Sequence, residues 1–296
     1  MATVQQYKER IASTSSLKKI FKAQELIAAS RISKARGFAE NARPFAETVT
    51  KALTSLAAHI DIEHPLITPR EKPTRAAVLV VAADRGMAGA YTVQVIRAAG
   101  ELIARLQQEN KSVEIFAAGR RVVSYYKFRG IEVSGEWEGD SDAPHPELAT
   151  EIADKLVARY LDENADNAVD EVYIVYTNFI NMVSQKVKIV RMLPIEIVKD
   201  DENGSATHPL YTFEPDVGTV LDALLPRYFR SRVHQCLLDA AASETASRQR
   251  AMHTATENAE DLIKTLTVKS NQARQAKITS ELSEIVGSAD ALAKKA

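Results

Sequence analysis

The chain has 296 residues, 45% hydrophobic, 26% charged and 6% aromatic, with a formal net charge of −1. This excludes collagen-like, low-complexity and wholly disordered sequences. The charge is unevenly spread: residues 1–43 carry +6 and residues 227–296 carry +3, while 44–226 carry −10. A basic terminal segment suits nucleic acid, a membrane surface, an acidic protein or simply a solvated helix face.

The single cysteine, Cys236, excludes an intramolecular disulfide and a cysteine-based metal site, and points to a reducing compartment. The longest uncharged apolar run, Ala76–Ala83, has eight residues, against the roughly 20 a membrane span needs. The N-terminal residues have no apolar core of the signal-peptide kind.

Helix breakers divide the chain. All ten prolines lie between Pro44 and Pro226, and only Gly37 and Gly287 of the eleven glycines fall outside that window. Residues 2–43 predict a helix, with Val4, Tyr7 and Ile11, then Ala28, Ile32, Ala35 and Ala39, at spacings of three and four. Val49, Leu53, Leu56 and Ile60 continue the pattern beyond Pro44, which is expected to kink or divide the helix. Pro65, Pro69 and Pro73 predict a linker.

The middle alternates between strand and helix. Strands are predicted at 76–83, 113–118, 131–133, 172–177 and 187–193, and helices at 91–109, 119–129 and 146–163. The alternation argues for a parallel or mixed sheet covered by helices. From about Asp216 the chain is helical again. Met252, Ala255, Ala259, Leu262 and Leu266, then Ile278, Leu282, Ile285, Ala289 and Leu292, keep heptad spacings with a phase shift between the blocks. No aromatic residue follows Phe229, and the alanines at 240–242, 246, 251, 255 and 259 favour helix and allow close approach of a partner. If the two breaker-free ends are helices, they pair as an antiparallel coiled coil and a single compact globule is excluded. A continuous 70-residue helix would be about 105 Å long.

Signatures of catalysis are missing. There is no phosphate-binding lysine loop, dinucleotide fingerprint, zinc-protease motif, nucleophile elbow or EF-hand loop. The six histidines are scattered, and His59 and His64, the nearest pair, match no helical ligand spacing. Cys236 reads as a buried helix-face thiol. Asp84-Arg85-Gly86-Met87-Ala88-Gly89-Ala90 follows the first strand and reads either as a structural turn or as a weak phosphate or magnesium site. Asp140, Ser141, Asp142, Asp162 and Glu163 read as exposed loop and helix-end residues. Lys18, Lys19, Lys22, Arg31, Lys34 and Arg36 lack the interleaved aromatics of a nucleic-acid surface. These readings give an α/β head with helical arms and no catalytic, cofactor or metal residues.

The strings themselves resemble one family. SETASRQRAMHTATENAEDLIKTLTVKSNQARQAKITSELSEIVGSADAL (Ser243–Leu292) and RIASTSSLKKIFKAQELIAASRISKAR (Arg10–Arg36) are similar to the two terminal helices of the gamma subunit of F-type ATP synthase. DRGMAGAY (Asp84–Tyr91) resembles the turn after that family's first strand, and YTFEPD (Tyr211–Asp216) resembles the lead-in to its last helix. The resemblance implies a Rossmann-like head with a mostly parallel five-stranded sheet, and a long antiparallel coiled coil of the N- and C-terminal helices. It divides the chain into a shaft helix over 1–60, a foot over 74–210 and a second shaft helix over 211–296, with the first helix running past Pro44 to about Ala58.

The implied function is that of a non-catalytic rotor. The helices turn inside the alpha3–beta3 hexamer, and the foot meets the epsilon subunit and the membrane c-ring. The implied location is the cytoplasmic face of a bacterial plasma membrane, peripherally attached, with no cofactor and no nucleic-acid partner. Carried over by position, the beta-subunit contacts fall on Arg274, Gln275, Thr279 and Glu281, with Lys22 and Glu25 as further shaft contacts. The sequence departs from the family pattern at Gln24, where many members carry Met, and at Met87-Ala88, where Leu-Cys is frequent. The paired-cysteine insert of chloroplast relatives is absent, so thiol regulation is not expected. Two other classes fit the same outline: a chromosome-organising coiled coil, which would need Walker motifs at its ends, and a nucleotide-binding α/β protein with a helical arm.

Overall fold

The computed structural model describes residues 3–59, 64–162, 164, 168–196 and 216–293. The elements run α1 (Val4–His59), β1 (Arg75–Val81), α2 (Tyr91–Gln108), β2 (Ser112–Ala118), α3 (Arg120–Phe128), β3 (Gly135–Trp137), α4 (Pro146–Tyr160), β4 (Glu171–Phe179), β5 (Gln185–Leu193) and α5 (Val217–Ala293). The chain forms two compact units, divided at Ile27/Ala28 and at Arg248/Gln249. Tyr211–Pro215 of the last quoted string lies outside the described residues, and so does Ile60.

The larger unit is built on a five-stranded sheet of order β3-β2-β1-β4-β5. β1 pairs in parallel with β2 and β4, and β2 with β3; β5 alone is antiparallel to β4. Central β1 is buried along Ala76–Val81, which explains its unbroken apolar run: a parallel strand covered on both faces has no polar side. One face packs Leu79, Phe116 and Ile174 against α4 (Ile152, Leu156) and the first part of α5 (Leu221, Leu225, Phe229). The other packs Val78, Val80 and Ala117 against Val95, Ala99 and Leu102 of α2 and Val122 and Tyr126 of α3.

β3 lies four residues after the predicted position. Gly130, at φ +67, closes α3, and the amide of Ile131 bonds back to the Tyr126 carbonyl, so 131–133 returns the chain to the sheet as a loop. The strand begins at Gly135, where a Cβ would come within 2.7 Å of the Phe116 ring. α4 ends at Tyr160, short of the predicted 163. The proline linker docks on the head: Leu66 is buried in the core, the Leu66 carbonyl accepts from the Ile195 amide, and Asp170 accepts from the amides of Thr74 and Arg75 and from Arg70.

α1 passes through Pro44 as one helix, without the division that the proline alone suggests. Proline removes one backbone bond, and the flanking turns keep theirs. Ala28, Ile32, Ala35 and Val49 are buried as their spacing predicts. Ala39, Leu53 and Leu56 lie outside the described side chains.

In the smaller unit the N-terminal part of α1 runs antiparallel to the distal part of α5. Lys18 Nζ lies 2.7 Å from Glu260, and His253 lies 3.1 Å from Glu25; as one number rises the other falls by the same amount. The seam differs from the predicted one. Met252, Thr256, Ala259, Leu266 and Ser270 are buried and Ile263 is half-buried, a continuous 4-3-4-3-4 series. Ala255 is only half-buried and Leu262 is exposed. The seam includes the small polar Thr256 and Ser270, which a hydrophobic count skips. Thr256 satisfies its hydroxyl by bonding the Met252 carbonyl at 2.8 Å, so it can face a helix without a cross-helix partner.

The two candidate seams give opposite expectations for two leucines. Leu266→Ala should lower the stability of the full chain by about 2–4 kcal/mol. Leu262→Ala, 48% exposed, should cost no more than about 0.5 kcal/mol. Urea unfolding of both variants distinguishes the seams.

Candidate functional site

The quartet Arg274, Gln275, Thr279 and Glu281 lies on α5 beyond the residues that face α1. Extending the register of the two cross-helix contacts sets Val4, the first residue of α1, opposite Arg274. Among the described residues, none of α1 lies opposite the turns of α5 beyond Arg274 in this register. All four side chains are exposed, and so are Ile278, Leu282, Ile285 and Val286 among them. At 3.6 residues per turn these eight residues share an arc of about 160°. It is a mixed polar and apolar face. The second predicted apolar block is thus exposed where it is described; Ala289 and Leu292 lie outside the described side chains. Thr279 bonds its own helix through the Gln275 carbonyl at 3.0 Å, and Glu281 lies 3.6 Å from Lys277. Both contacts are solvent-exposed and weak enough to exchange for others.

Lys22 and Glu25 behave differently from each other. The Lys22 ammonium is exposed; Glu25 is 8% exposed and accepts from Lys22 at 3.1 Å and pairs with His253 at 3.1 Å. Burial alone would raise the Glu25 pKa, but Lys22 and His253 together outweigh it and hold the carboxyl below its ordinary value. Glu25 thus ties α1 to α5, and only Lys22 of this pair is available to another molecule. The histidine was not legible in advance, because His253 sits 228 residues away in sequence.

The turn after β1 is structural. Asp84 accepts from the amides of Arg120 (2.8 Å), Gly139 (3.0 Å) and Ser141 (2.9 Å), and its own amide donates to the Ser141 hydroxyl at 2.9 Å. It caps α3 from a distance, because Gly119 supplies no side-chain cap. That glycine is required: its φ is +108, and a Cβ would meet the Ala82 carbonyl oxygen at 2.1 Å. With three amides on its two oxygens, Asp84 has little capacity left for a metal ion. Among the described residues no cluster of His, Cys, Asp and Glu could hold a metal, and no described helix is long and apolar enough to cross a membrane. His64, with His59 the nearest histidine pair, bonds Asp222 and the Leu66 amide.

The same turn is bound to α5. Arg248 pairs with buried Glu244 at 2.6 Å and reaches the carbonyls of Arg85 and Gly86 at 3.4 Å. Tyr91 donates to the Ala240 carbonyl, and Ser243 to the Thr177 carbonyl. Cys236 is buried, and burial pushes its thiol up to about 12.

A protein-family model described as ATP synthase matches residues 3–292. The chain is 52% identical to an ATP synthase gamma chain of Bifidobacterium adolescentis, over 97% of each chain. It is 53% identical to one of Beutenbergia cavernae, again over 97% of each. The chain belongs to the ATP synthase gamma-chain family. In fold it is similar to a chain of the Euglena gracilis mitochondrial ATP synthase rotor, with a TM-score of 0.66 at 15% identity, over 93% of this chain and 98% of that one. Membership in the gamma-chain family accounts for the string matches in both terminal helices, including the polar residues that heptad spacing alone would not specify.

The Asp84 clasp predicts an acid-labile head. Burial would raise the Asp84 pKa, but the amides of Ser141, Arg120 and Gly139 outweigh it and hold the carboxyl below its ordinary value of 3.8. Its contribution is therefore complete above that value and is lost as the pH falls through the lower folded value. Asp84→Asn should destabilise the chain by about 1–3 kcal/mol at pH 7. The difference between variant and parent should shrink below about pH 4, which urea unfolding across the range measures.

Proposed function

We propose that this chain is the central-stalk rotor of a bacterial, proton-translocating ATP synthase, peripheral to the cytoplasmic face of the plasma membrane and without a catalytic site of its own. The single observation that carries the reading is identity above 50% with gamma chains over nearly the whole of both sequences. Its partners in this reading are the alpha and beta subunits as a hexamer, the epsilon subunit and the membrane c-ring. Residues 1–60 and 211–296 are the shaft segments, and 74–210 is the foot.

The structure supports a physical account of the role. A rotor works by presenting different surfaces to equivalent neighbours. A neighbour's conformational equilibrium shifts only by the difference in free energy of those contacts between its states. The exposed end of α5 has such asymmetry, since its polar quartet and four apolar residues occupy one arc. Arg274 and Glu281 supply charge that can pair with a beta-subunit loop in one orientation and return to solvent in the next. Exposed pairs of this kind are worth about 0–1 kcal/mol each, so they exchange without trapping the rotor. Lys22 is the corresponding contact on α1, positioned by Glu25.

Arg274→Ala and Glu281→Ala should each leave the complex assembled with alpha, beta and epsilon, while coupled ATP synthesis falls several-fold. The isolated chain should bind no ATP in equilibrium dialysis. Unchanged coupled synthesis in both variants would overturn these two contacts. Failure of the unmodified chain to enter the complex would overturn the whole reading.

A further inference from the structure

The larger unit contains a cleft of about 830 Å³, within the range that takes one small organic ligand. Three elements line it. α1 contributes Arg31, Lys34, Ala35 and Phe38, which share one helical face; α5 contributes Arg230, His234, Leu238 and Ala241, also on one face; α4 contributes its first turn, with Pro146, Ala149 and Thr150.

The chemistry of the walls is asymmetric. Buried Ala35, Ala149 and Leu238 form an apolar floor, and exposed Phe38 and Pro146 add apolar surface at the edge. Arg31, Lys34, Arg85 and Arg230 bring positive charge to the rim, against one lining carboxylate, Asp142. Asp142 is taken by Arg31, with Arg85 at 3.9 Å, and Arg230 is taken by Asp154 at 2.6 Å. Lys34 forms no ion pair among the described residues, so the rim keeps an excess of positive charge. The start of α4 adds no such charge, because its first residue is Pro146, which has no N–H, and its first turn carries Glu147.

We propose that this cleft binds an amphipathic organic anion. The acidic head lies against Lys34 at the rim, and the hydrocarbon body lies on the floor formed by Ala35, Ala149 and Leu238. A neutral apolar ligand would leave the cationic rim unused, and a cationic amphiphile would be repelled by it. The same chemistry is offered by a free single-chain carboxylate and by an acidic lipid presented from a bilayer.

Calorimetric titration of the full-length chain with decanoate, below its micelle concentration, tests the site. The expected result is saturable binding of one decanoate per chain, weakening with added salt, and no binding of decyltrimethylammonium. Lys34→Glu, a change at an exposed position, should weaken decanoate about five- to tenfold. Thr150→Trp, which narrows the cleft from its rim, should weaken it further, and circular dichroism melting checks that both variants fold. Co-sedimentation with phosphatidylglycerol vesicles identifies the source: loss of vesicle binding in Lys34→Glu assigns the bilayer lipid, and no vesicle binding by the parent chain assigns the free acid. Equal binding of decanoate and decyltrimethylammonium, or decanoate binding unchanged in Lys34→Glu, would overturn the proposal.

Discussion

The larger unit depends on one lock: residues 240–248 of α5 held against the C-terminal ends of β1 and β4. Alanines at 240, 241, 242 and 246 are buried, and their small side chains bring the helix backbone close enough to accept a hydrogen bond from Tyr91 and to donate one through Ser243. Arg248 then spans to the carbonyls of the turn after β1. A bulkier helix face would remove all three polar contacts at once, because each needs the same close approach. The Glu244–Arg248 pair within this lock is nearly buried, and such pairs contribute more to a unique arrangement than to net stability.

The turn that Arg248 grips is itself held by Asp84. A carboxylate that accepts three amides from two separate segments joins the end of β1, the start of α3 and the loop after β3. The acidic residue after an apolar strand, which in isolation resembles a metal ligand, serves here as a long-range helix cap. Its chemistry is the same in both roles: negative charge directed at N–H groups or at a cation. The local sequence does not distinguish them; the partners do.

In the smaller unit the packing is deliberately modest. Thr256, Ala259 and Ser270 at the seam bury little apolar area, and the polar contacts Lys18–Glu260 and Glu25–His253 mark the register. The end of α5 beyond Arg274 exposes apolar residues that an isolated helix would be expected to cover. In a gamma chain this exposure suits a surface that works against other subunits.

The sequence by itself determined much of the element list. Breaker positions located the long helices, the unbroken run Ala76–Ala83 located the central strand, and the alternation after it implied a mostly parallel sheet. Polar residues similar in string and order, such as those of ARQAKITSE, carried the resemblance to the family, because helical periodicity alone does not specify them. Tertiary structure decided the rest. It placed β3 at Gly135, because only a glycine fits beside Phe116. It moved the seam from Ala255 and Leu262 to Thr256 and Ile263, because the buried face includes the small polar residues Thr256 and Ser270, which an apolar pattern skips. It turned Glu25 inward and Asp84 into a cap, and it assembled a cationic cleft from three helices. Periodicity reports which residues share a face; which face is covered, and by what, depends on contacts that are remote in sequence.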